Sequence, residues 1–206
     1  MGKIILAKHI VTGVILAGGQ ARRMHGQDKG LVELAGCPMV QYVLESIAPQ
    51  VGYVIINANR NREIYGHLGC PVVADEFEGF CGPLAGIASS MRVVDTPLMV
   101  TAPCDSPFVP ADMVERLYMQ LVHDDADISV AHNGDRIQPV FVLLKTGLLE
   151  SVLTYLRQGE RKIDKWFKQH KMTLTDFSDK PDTFLNINTP EDLELIEAKL
   201  KKQNET

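Results

Sequence analysis

The chain has 206 residues, 45% of them hydrophobic and 23% charged, which is typical of one globular domain or of one domain with a lobe. Its net charge of −5 argues against broad nucleic-acid binding, because such proteins usually present a basic stripe. No apolar run approaches the ~18 residues that cross a membrane, and Lys8 and His9 interrupt the first apolar run before a signal peptide forms. The four cysteines are widely spaced without a C-x-x-C pair, so we expect reduced thiols, no zinc site and a cytoplasmic protein.

The first 121 residues alternate apolar strands with helices. Strands are predicted at 9–16, 53–57, 71–75 and 97–102, and a short extended piece at 31–34. Helices are predicted at 60–68, 84–93 and 110–121, and one begins at Pro38, because proline suits the first helical position. This alternation predicts an α/β fold of three layers, Rossmann-like, with helices on both faces of a mostly parallel sheet.

The second part of the chain is less regular. Strands at 127–132 and 139–144 flank Asn133-Gly134, which is a strong hairpin signal. Helices at 146–156 and 160–170 follow, then short strands at 172–177 and 184–187, and a last helix with Thr189 as N-cap and Pro190 at its first position runs to about Lys202. The sheet is expected to continue through the hairpin, so residues 1–206 are interpreted as a single domain with two functional halves.

Polar residues follow four of the predicted strands, where each strand ends. They are Gly18-Gly19, Asn57, Asp75 and Asp105. Ligands of open parallel sheets bind outside the carboxyl ends of the strands, so we expect these residues to face one site. Each also has a local structural interpretation, because Asp often caps a helix and Asn often ends a strand.

The glycine-rich stretch after the first strand indicates a polyphosphate site, because glycines let backbone N–H groups converge on an anion. Arg22, Arg23 and Lys29 add fixed charge close by. The stretch is no P-loop, since Gly30 follows Lys29 where Ser or Thr would bind magnesium, and it lacks the G-x-G-x-x-G spacing of dinucleotide sites. It matches instead the nucleotidyltransferase pattern L-A-G-G-x-A/S-x-R-M followed by D-K, as Leu16-Ala17-Gly18-Gly19-Gln20-Ala21-Arg22-Arg23-Met24 and Asp28-Lys29.

With this loop the chain resembles the molybdenum cofactor guanylyltransferases, which transfer GMP from GTP to molybdopterin. Further stretches similar to that family are Asn57-Ala58-Asn59-Arg60, Gly82-Pro83-Leu84-Ala85-Gly86, Pro103-Cys104-Asp105-Ser106-Pro107, Gln138-Pro139, Gly159-Glu160-Arg161 and Asn186-Ile187-Asn188-Thr189-Pro190. The resemblance covers roughly residues 13 to 195. One departure is His25, where the family often has a small residue.

The resemblance implies a role for individual residues. Backbone contacts to the nucleotide are implied for Leu16, Ala17, Gly18 and Gly19, a cation on the triphosphate for Lys29, nucleotide contacts for Asn57 and Asp75, a Mg²⁺ ligand for Asp105, and a place near the pterin for Asn186 and Asn188. Arg161 is a candidate for the phosphate of molybdopterin, and Arg23, with or without Arg22, is a candidate catalytic cation. The groups that read guanine stay open between Asp75, Asn57 and the loop backbone.

The implied reaction is attack by the terminal phosphate of molybdopterin on the α-phosphorus of GTP, with Mg²⁺ as cofactor and pyrophosphate as leaving group. Residues 9–108 are then the nucleotide-binding half and residues 109–206 the pterin- or acceptor-binding half. Molybdopterin-loading proteins and chaperones of apo-molybdoenzymes are implied partners, and neither nucleic acid nor a membrane is expected to be one.

Other functions remain open at this point. A CTP-dependent molybdopterin cytidylyltransferase or a sugar-1-phosphate nucleotidyltransferase would use the same kind of loop. Guanine rests on the resemblance, particularly on Leu-Ala-Gly-Gly, since the cytidylyltransferases tend towards Leu-Ala-Ala-Gly. A GTP-binding adaptor that delivers cofactor without chemistry is the alternative outside enzymes, although a pure binder need not keep both Lys29 and Asp105.

Overall fold

A computed structural model describes residues 6–19, 27–77 and 82–204. Arg22, Arg23 and His25, singled out above, lie outside the described residues. The strands are β1 (Val11–Leu16), β2 (Glu33–Leu34), β3 (Cys37–Pro38), β4 (Tyr53–Asn57), β5 (Val72–Val73), β6 (Leu98–Pro103), β7 (Ile128–His132), β8 (Ile137–Lys145) and β9 (Met172–Asp176). The helices are α1 (Met39–Ile47), α2 (Arg62–Gly66), α3 (Pro83–Met91), α4 (Met113–His123), α5 (Leu149–Arg157), α6 (Ile163–Phe167) and α7 (Pro190–Asn204).

A seven-stranded sheet in the order β5-β4-β1-β6-β8-β7-β9 forms the central layer. Neighbouring strands are parallel except at β8, which runs antiparallel to both β6 and β7. The hairpin at Asn133-Gly134 explains this reversal, because Gly134 has a φ of +94° and the Asn133 side chain accepts from the N–H of Arg136 at 3.0 Å. The mostly parallel sheet and the hairpin predicted from the sequence are therefore confirmed.

Helices cover both faces of this sheet and give the fold its three layers. Residues of β1 that point to opposite faces of the sheet are apolar and need cover on both sides: Val11 and Ile15 belong to one apolar core and Val14 to the other. The first core includes apolar residues of α1, α2 and α4, and the second those of α3, α5 and α6. A smaller cluster joins α7, through Ile196, to Leu34 and Met39. No helix in the described part of the chain has the length and apolar character needed to cross a membrane.

Several predicted elements differ from the observed ones. The strand predicted at 184–187 is wrong: a 3-10 turn, Pro181–Phe184, precedes an irregular segment. Phe184 and Ile187 are buried without joining a sheet, and the N–H of Ile187 donates to the carbonyl oxygen of Asp105 at 2.9 Å. The strand predicted at 71–75 is reduced to β5, because the N–H of Asp75 binds a side chain, that of Asn59, at 2.8 Å.

Several helices are also shorter than predicted. The helix expected at 160–170 is only α6, because Gly159 has a φ of +84° and the backbone of Lys162 is extended, so the helix begins at Ile163. Pro38, expected to open a helix, pairs with Glu33 in the β2–β3 ribbon and precedes α1. The start of α7 is confirmed, since the Thr189 hydroxyl accepts from the N–H of Asp192 at 3.1 Å.

Candidate functional site

A cleft of about 480 Å³ lies at the carboxyl ends of the parallel strands. Nine of the site residues predicted from the sequence line it: Leu16, Ala17, Gly18, Gly19, Lys29, Asn57, Asp75, Asp105 and Asn186. The remaining lining residues are Asp28, Gly82, Pro83, Gly86, Pro103, Cys104, Gln138, Pro139, Val140 and Phe141. The convergence of strand-end residues on one edge of the sheet is thus observed.

The end of β1 is fixed on both sides before the glycines begin. The N–H of Ala17 donates to the carbonyl oxygen of Asn57 at 2.8 Å, and the carbonyl oxygen of Leu16 accepts from the N–H of Cys104 at 3.1 Å. Gly18 and Gly19 come after the last hydrogen bonds of the sheet and line the cleft. A β-carbon on Gly18 would lie 3.1 Å from the Asn59 amide nitrogen, so the backbone here runs against polar side chains.

Lys29 and Asp105 form an ion pair inside the cleft, with 2.9 Å between Nζ and Oδ2. Both side chains are largely buried, at 20% and 15% exposure, so the charges are weakly screened. The ammonium group also donates to Oδ1 of Asn188. Asp105 therefore serves as an ion-pair partner rather than as a helix cap, and its carboxylate stays on the wall of the cleft.

Asp28 anchors the backbone next to Lys29. Its carboxylate accepts from the Tyr65 hydroxyl at 2.6 Å and from the Asn61 amide at 3.1 Å. Tyr65 is fully buried, and this burial is the main reason why the pKa of its phenol is raised. A β-carbon on Gly30 would lie 2.5 Å from the Tyr65 oxygen, so the loop approaches the ring too closely for any other residue.

Two asparagines hold the carboxylate of Asp75 on the far side of the cleft. The Asn57 amide donates to Oδ1 at 2.9 Å, and the Asn59 amide donates to Oδ2 at 2.8 Å. Asn57 is 2% exposed and its amide also donates to the Val73 carbonyl oxygen at 3.2 Å. These bonds give Asp75 two neutral donors, which hold an ionised carboxylate in place without cancelling its charge.

Gly86 in α3 lies against this group of amides. A β-carbon there would be 2.3 Å from Oδ1 of Asn57 and 3.0 Å from Leu16 Cδ2. The glycine thus leaves room for the amide that positions Asp75. This explains a glycine inside a helix, which otherwise costs about 1 kcal/mol of helix stability relative to alanine.

The segment before α7 brings the end of the chain to the same cleft. The Ser106 hydroxyl donates to Oδ1 of Asn186, and the backbone N–H groups of Asn188 and Thr189 donate to Oδ2 of Asp192 at 2.9 and 3.0 Å. These bonds lower the pKa of the Asp192 carboxyl group. Asn188 is therefore held beside Lys29 by its own backbone N–H, and Asn186 is held next to Asp105 by the bond between its side chain and Ser106.

The remaining predicted residues are placed differently. Arg161 is not among the residues lining the cleft, and its guanidinium donates to the carbonyl oxygens of Leu156 and Glu160 at 2.8 and 2.7 Å. Arg23 falls within the range 20–26, outside the described residues. Burial, the largest cause, and the neighbouring Asp105 raise the pKa of the Cys104 thiol well above its usual value, as suits a residue that fills the core.

Sequence reasoning assigned no role to four residues of the site. Asp28, Gly86 and Gln138 belong to the motifs that resemble the family, but the sequence does not show which residues they contact. Tyr65 had no signal beyond its place on a predicted helix. Within the described residues, no group of three or more His, Cys, Asp or Glu side chains is placed to hold a metal ion.

Comparison with known proteins gives a consistent relationship. The family described as the MobA-like NTP transferase domain matches residues 13–173. A protein of Shewanella sediminis named molybdenum cofactor guanylyltransferase is 46% identical over 192 residues, which is 93% of this chain and 98% of that protein. A protein of Shewanella pealeana with the same name is 48% identical over 181 residues, 88% of this chain and 90% of that one.

A solved structure agrees with these sequence relationships. The molybdopterin-guanine dinucleotide biosynthesis protein A of Archaeoglobus fulgidus superposes with a TM-score of 0.77 at 25% identity, over 93% of this chain and 99% of that one. The two relatives match 93% and 88% of this chain, so the relationship covers most of its length. The chain therefore belongs to the molybdenum cofactor guanylyltransferases, within the MobA-like NTP transferase family.

Proposed function

We propose that this enzyme transfers GMP from GTP to molybdopterin and releases pyrophosphate. The observation that carries the proposal is the ion pair of Lys29 and Asp105 in a cleft walled by Gly18 and Gly19. A fixed ammonium beside a carboxylate and a glycine backbone suits a substrate whose charge lies on phosphate oxygens. The names of the relatives supply the nucleotide and the acceptor.

In the proposed reaction, an oxygen of the acceptor's terminal phosphate forms a bond to the α-phosphorus of GTP. The bond from that phosphorus to the α–β bridging oxygen breaks, and pyrophosphate leaves with the bonding electrons. Negative charge grows on the leaving group, where Lys29 is proposed to stabilise it as a point charge. The attacking oxygen is already anionic, so the reaction needs position more than a strong base.

Asp105 is the residue proposed to hold Mg²⁺. Nucleotidyltransferases of this family generally use a divalent metal. Mg²⁺ commonly takes one or two carboxylates and completes its shell with substrate phosphates and water, so a single aspartate on the cleft wall fits it. The ion would supply positive charge to the phosphate oxygens, and Lys29 is placed to exchange its contact with Asp105 for one with the triphosphate.

The remaining assignments are proposals of the same standing. Residues 9–108 are proposed to bind the nucleotide and residues 109–206 the acceptor, since the glycine loop and Asp75 follow strands of the first part and Gln138 and Asn186 belong to the second. Arg23 is retained as a proposed catalytic cation and Arg161 as a proposed contact to molybdopterin. Molybdopterin-loading proteins and apo-molybdoenzyme chaperones are proposed partners, and a cytoplasmic location is supported by the free thiols of Cys37 and Cys70.

Pyrophosphate release from GTP, measured with Mg²⁺ and molybdopterin, tests the function. We expect Asp105→Ala to lower turnover by at least about 10²–10³-fold, because a preorganised charged group at the reacting phosphate is removed. Lys29→Ala is expected to weaken the use of GTP strongly. A thermal-shift series with GTP, CTP, UTP and ATP should show the largest stabilisation by GTP.

The matched control is Asp95→Ala, an exposed aspartate before β6, at the opposite edge of the sheet. It should keep wild-type turnover. Wild-type turnover in folded Asp105→Ala would contradict the role of that residue. No pyrophosphate release by the wild-type enzyme with any nucleotide, despite tight GTP binding, would favour the adaptor over the enzyme.

A further inference from the structure

Gln138 carries a polar group that the fold leaves unsatisfied. Its Nε2 is buried and has no hydrogen-bond partner among the described residues, and Gln138 is one of the residues that line the cleft. Burying an amide donor without a partner costs about 1–3 kcal/mol, so such a group in a native structure calls for an explanation. A rotation of the side chain towards the cleft would bring the amide to a ligand oxygen, which would provide the missing partner.

An irregularity in β8 lies directly beside Gln138, next to the cleft. The adjacent residues Val130 and Ala131 of β7 pair with Val142 and Gln138, so three residues of β8, 139–141, are extra at this point. The hydroxyl of Thr101 in β6 donates to the Val140 carbonyl oxygen at 2.6 Å and fixes the protruding segment. Such bulges re-aim side chains and are frequent next to active sites.

The position of β8 assigns Gln138 to one side of the cleft. β8 lies next to β6, whose end leads into Asp105, and on the side of β6 away from β1 and β4. The amides that hold Asp75 are therefore separated from Gln138 by the reacting centre. This places Gln138 on the acceptor side, and the acceptor group nearest Asp105 is the phosphate that attacks.

We propose that the carboxamide of Gln138 binds the incoming acceptor and donates from Nε2 to an oxygen of its attacking phosphate. The inference rests on the proposed transfer of GMP to a phosphate acceptor. A neutral donor orients the attacking oxygen, whereas a cation there would draw charge from it and weaken it as a nucleophile. The neighbouring Pro139, Val140 and Phe141 add no charge of their own to this wall.

The test is Gln138→Met, which keeps the length and volume of the side chain and removes the donor. We expect kcat/KM for molybdopterin to fall about 10- to 100-fold with a fall in kcat, because a bond to a charged oxygen is lost at the reacting group. The Kd for GTP with Mg²⁺ should stay within about twofold of wild type. The apparent Tm without substrates should be equal or higher, since an unsatisfied buried donor has been removed.

That combination separates substrate binding from a structural role, which would lower Tm. Gln138→Glu is the second variant, for use if the methionine protein does not fold: it keeps the shape, lacks the donor, and should lose at least as much turnover. Gln41→Met, on the surface of α1 with a bond to Glu45 at 2.9 Å, is the matched control and should behave as wild type.

Three results would overturn the inference: unchanged turnover in Gln138→Met and Gln138→Glu, an equal loss of GTP binding, or a loss confined to KM. The last would assign the amide to a part of the acceptor remote from the reaction. Each presupposes a wild-type enzyme that releases pyrophosphate. A wild-type protein without that activity refutes the proposed function instead, so the two failures are distinguishable.

Discussion

Replacing Gly86 by alanine tests whether the amide of Asn57 is as tightly held as its contacts indicate. The added β-carbon would lie 2.3 Å from Oδ1 of Asn57, which must retreat by about 1 Å to reach an ordinary contact. The amide has no free path, because it is buried and donates to both Val73 and Asp75. The substitution must therefore move the amide, the helix or both.

The expected change in the free energy of unfolding is the sum of opposing contributions. Overpacking of a core costs about 1–3 kcal/mol, and weakening the two hydrogen bonds adds about 1 kcal/mol. Alanine in place of glycine in a helix stabilises by about 1 kcal/mol. The net loss is about 1–3 kcal/mol, or a fall in Tm of roughly 2–12 °C for a chain of this size.

The helical Gly66 provides the matched control, since a β-carbon there meets nothing within 4 Å and its φ is not positive. Gly66→Ala should raise Tm by a few degrees at most. Differential scanning calorimetry compares the two, and a GTP titration should show weaker binding for Gly86→Ala alone. If Gly86→Ala is as stable as Gly66→Ala and binds GTP as wild type does, the reasoning about Asn57 is refuted.

Two further perturbations test other parts of the structure. Tyr65→Phe removes the buried hydroxyl that donates to Asp28, so chemical denaturation should show a loss of about 1–3 kcal/mol in the free energy of unfolding. KM for GTP should rise, because Asp28 then holds the backbone next to Lys29 less firmly. A stability and a KM equal to those of wild type would contradict this. Burial lowers the pKa of His170 below its usual 6.5, so unfolding takes up a proton and wild-type stability should fall as pH drops through 6.5. His170→Gln should reduce that fall between pH 7.5 and 5.5, and an unchanged pH profile would contradict the assignment.

The sequence predicted the elements with strong local patterns. β4 was predicted with its observed bounds, because a short apolar run between turn residues leaves few alternatives. The run at 184–187 was wrongly predicted as a strand because it, too, is a short apolar run between turn residues. Phe184 and Ile187 are buried, but they join no sheet, and a hydrophobic pattern indicates burial without indicating which element the residue packs against.

The residues of the site also fall into those that could be placed from the sequence and those that could not. The glycine loop, Asn57, Asp75 and Asp105 could be placed at one edge because strand direction alone brings strand ends together. The contact of Lys29 with Asn188 spans 159 positions of sequence, and no local rule predicts it. Tyr65 could not be found at all, since its hydroxyl matters only through the carboxylate of Asp28.

Lys29 contacts residues from both the earlier and the later part of the chain. Its neighbour Asp28 is anchored by α2 and the residue before it, its ammonium pairs with Asp105 after β6, and the same ammonium donates to Asn188 before α7. A triphosphate that takes up the ammonium must compete with Asp105 and Asn188 together. Release of Asn188 would change the part of the cleft that we propose for the acceptor at the moment the nucleotide is bound. Such coupling is reciprocal. If GTP changes the affinity for a second ligand that fixes Asn188, that ligand must change the affinity for GTP by the same factor.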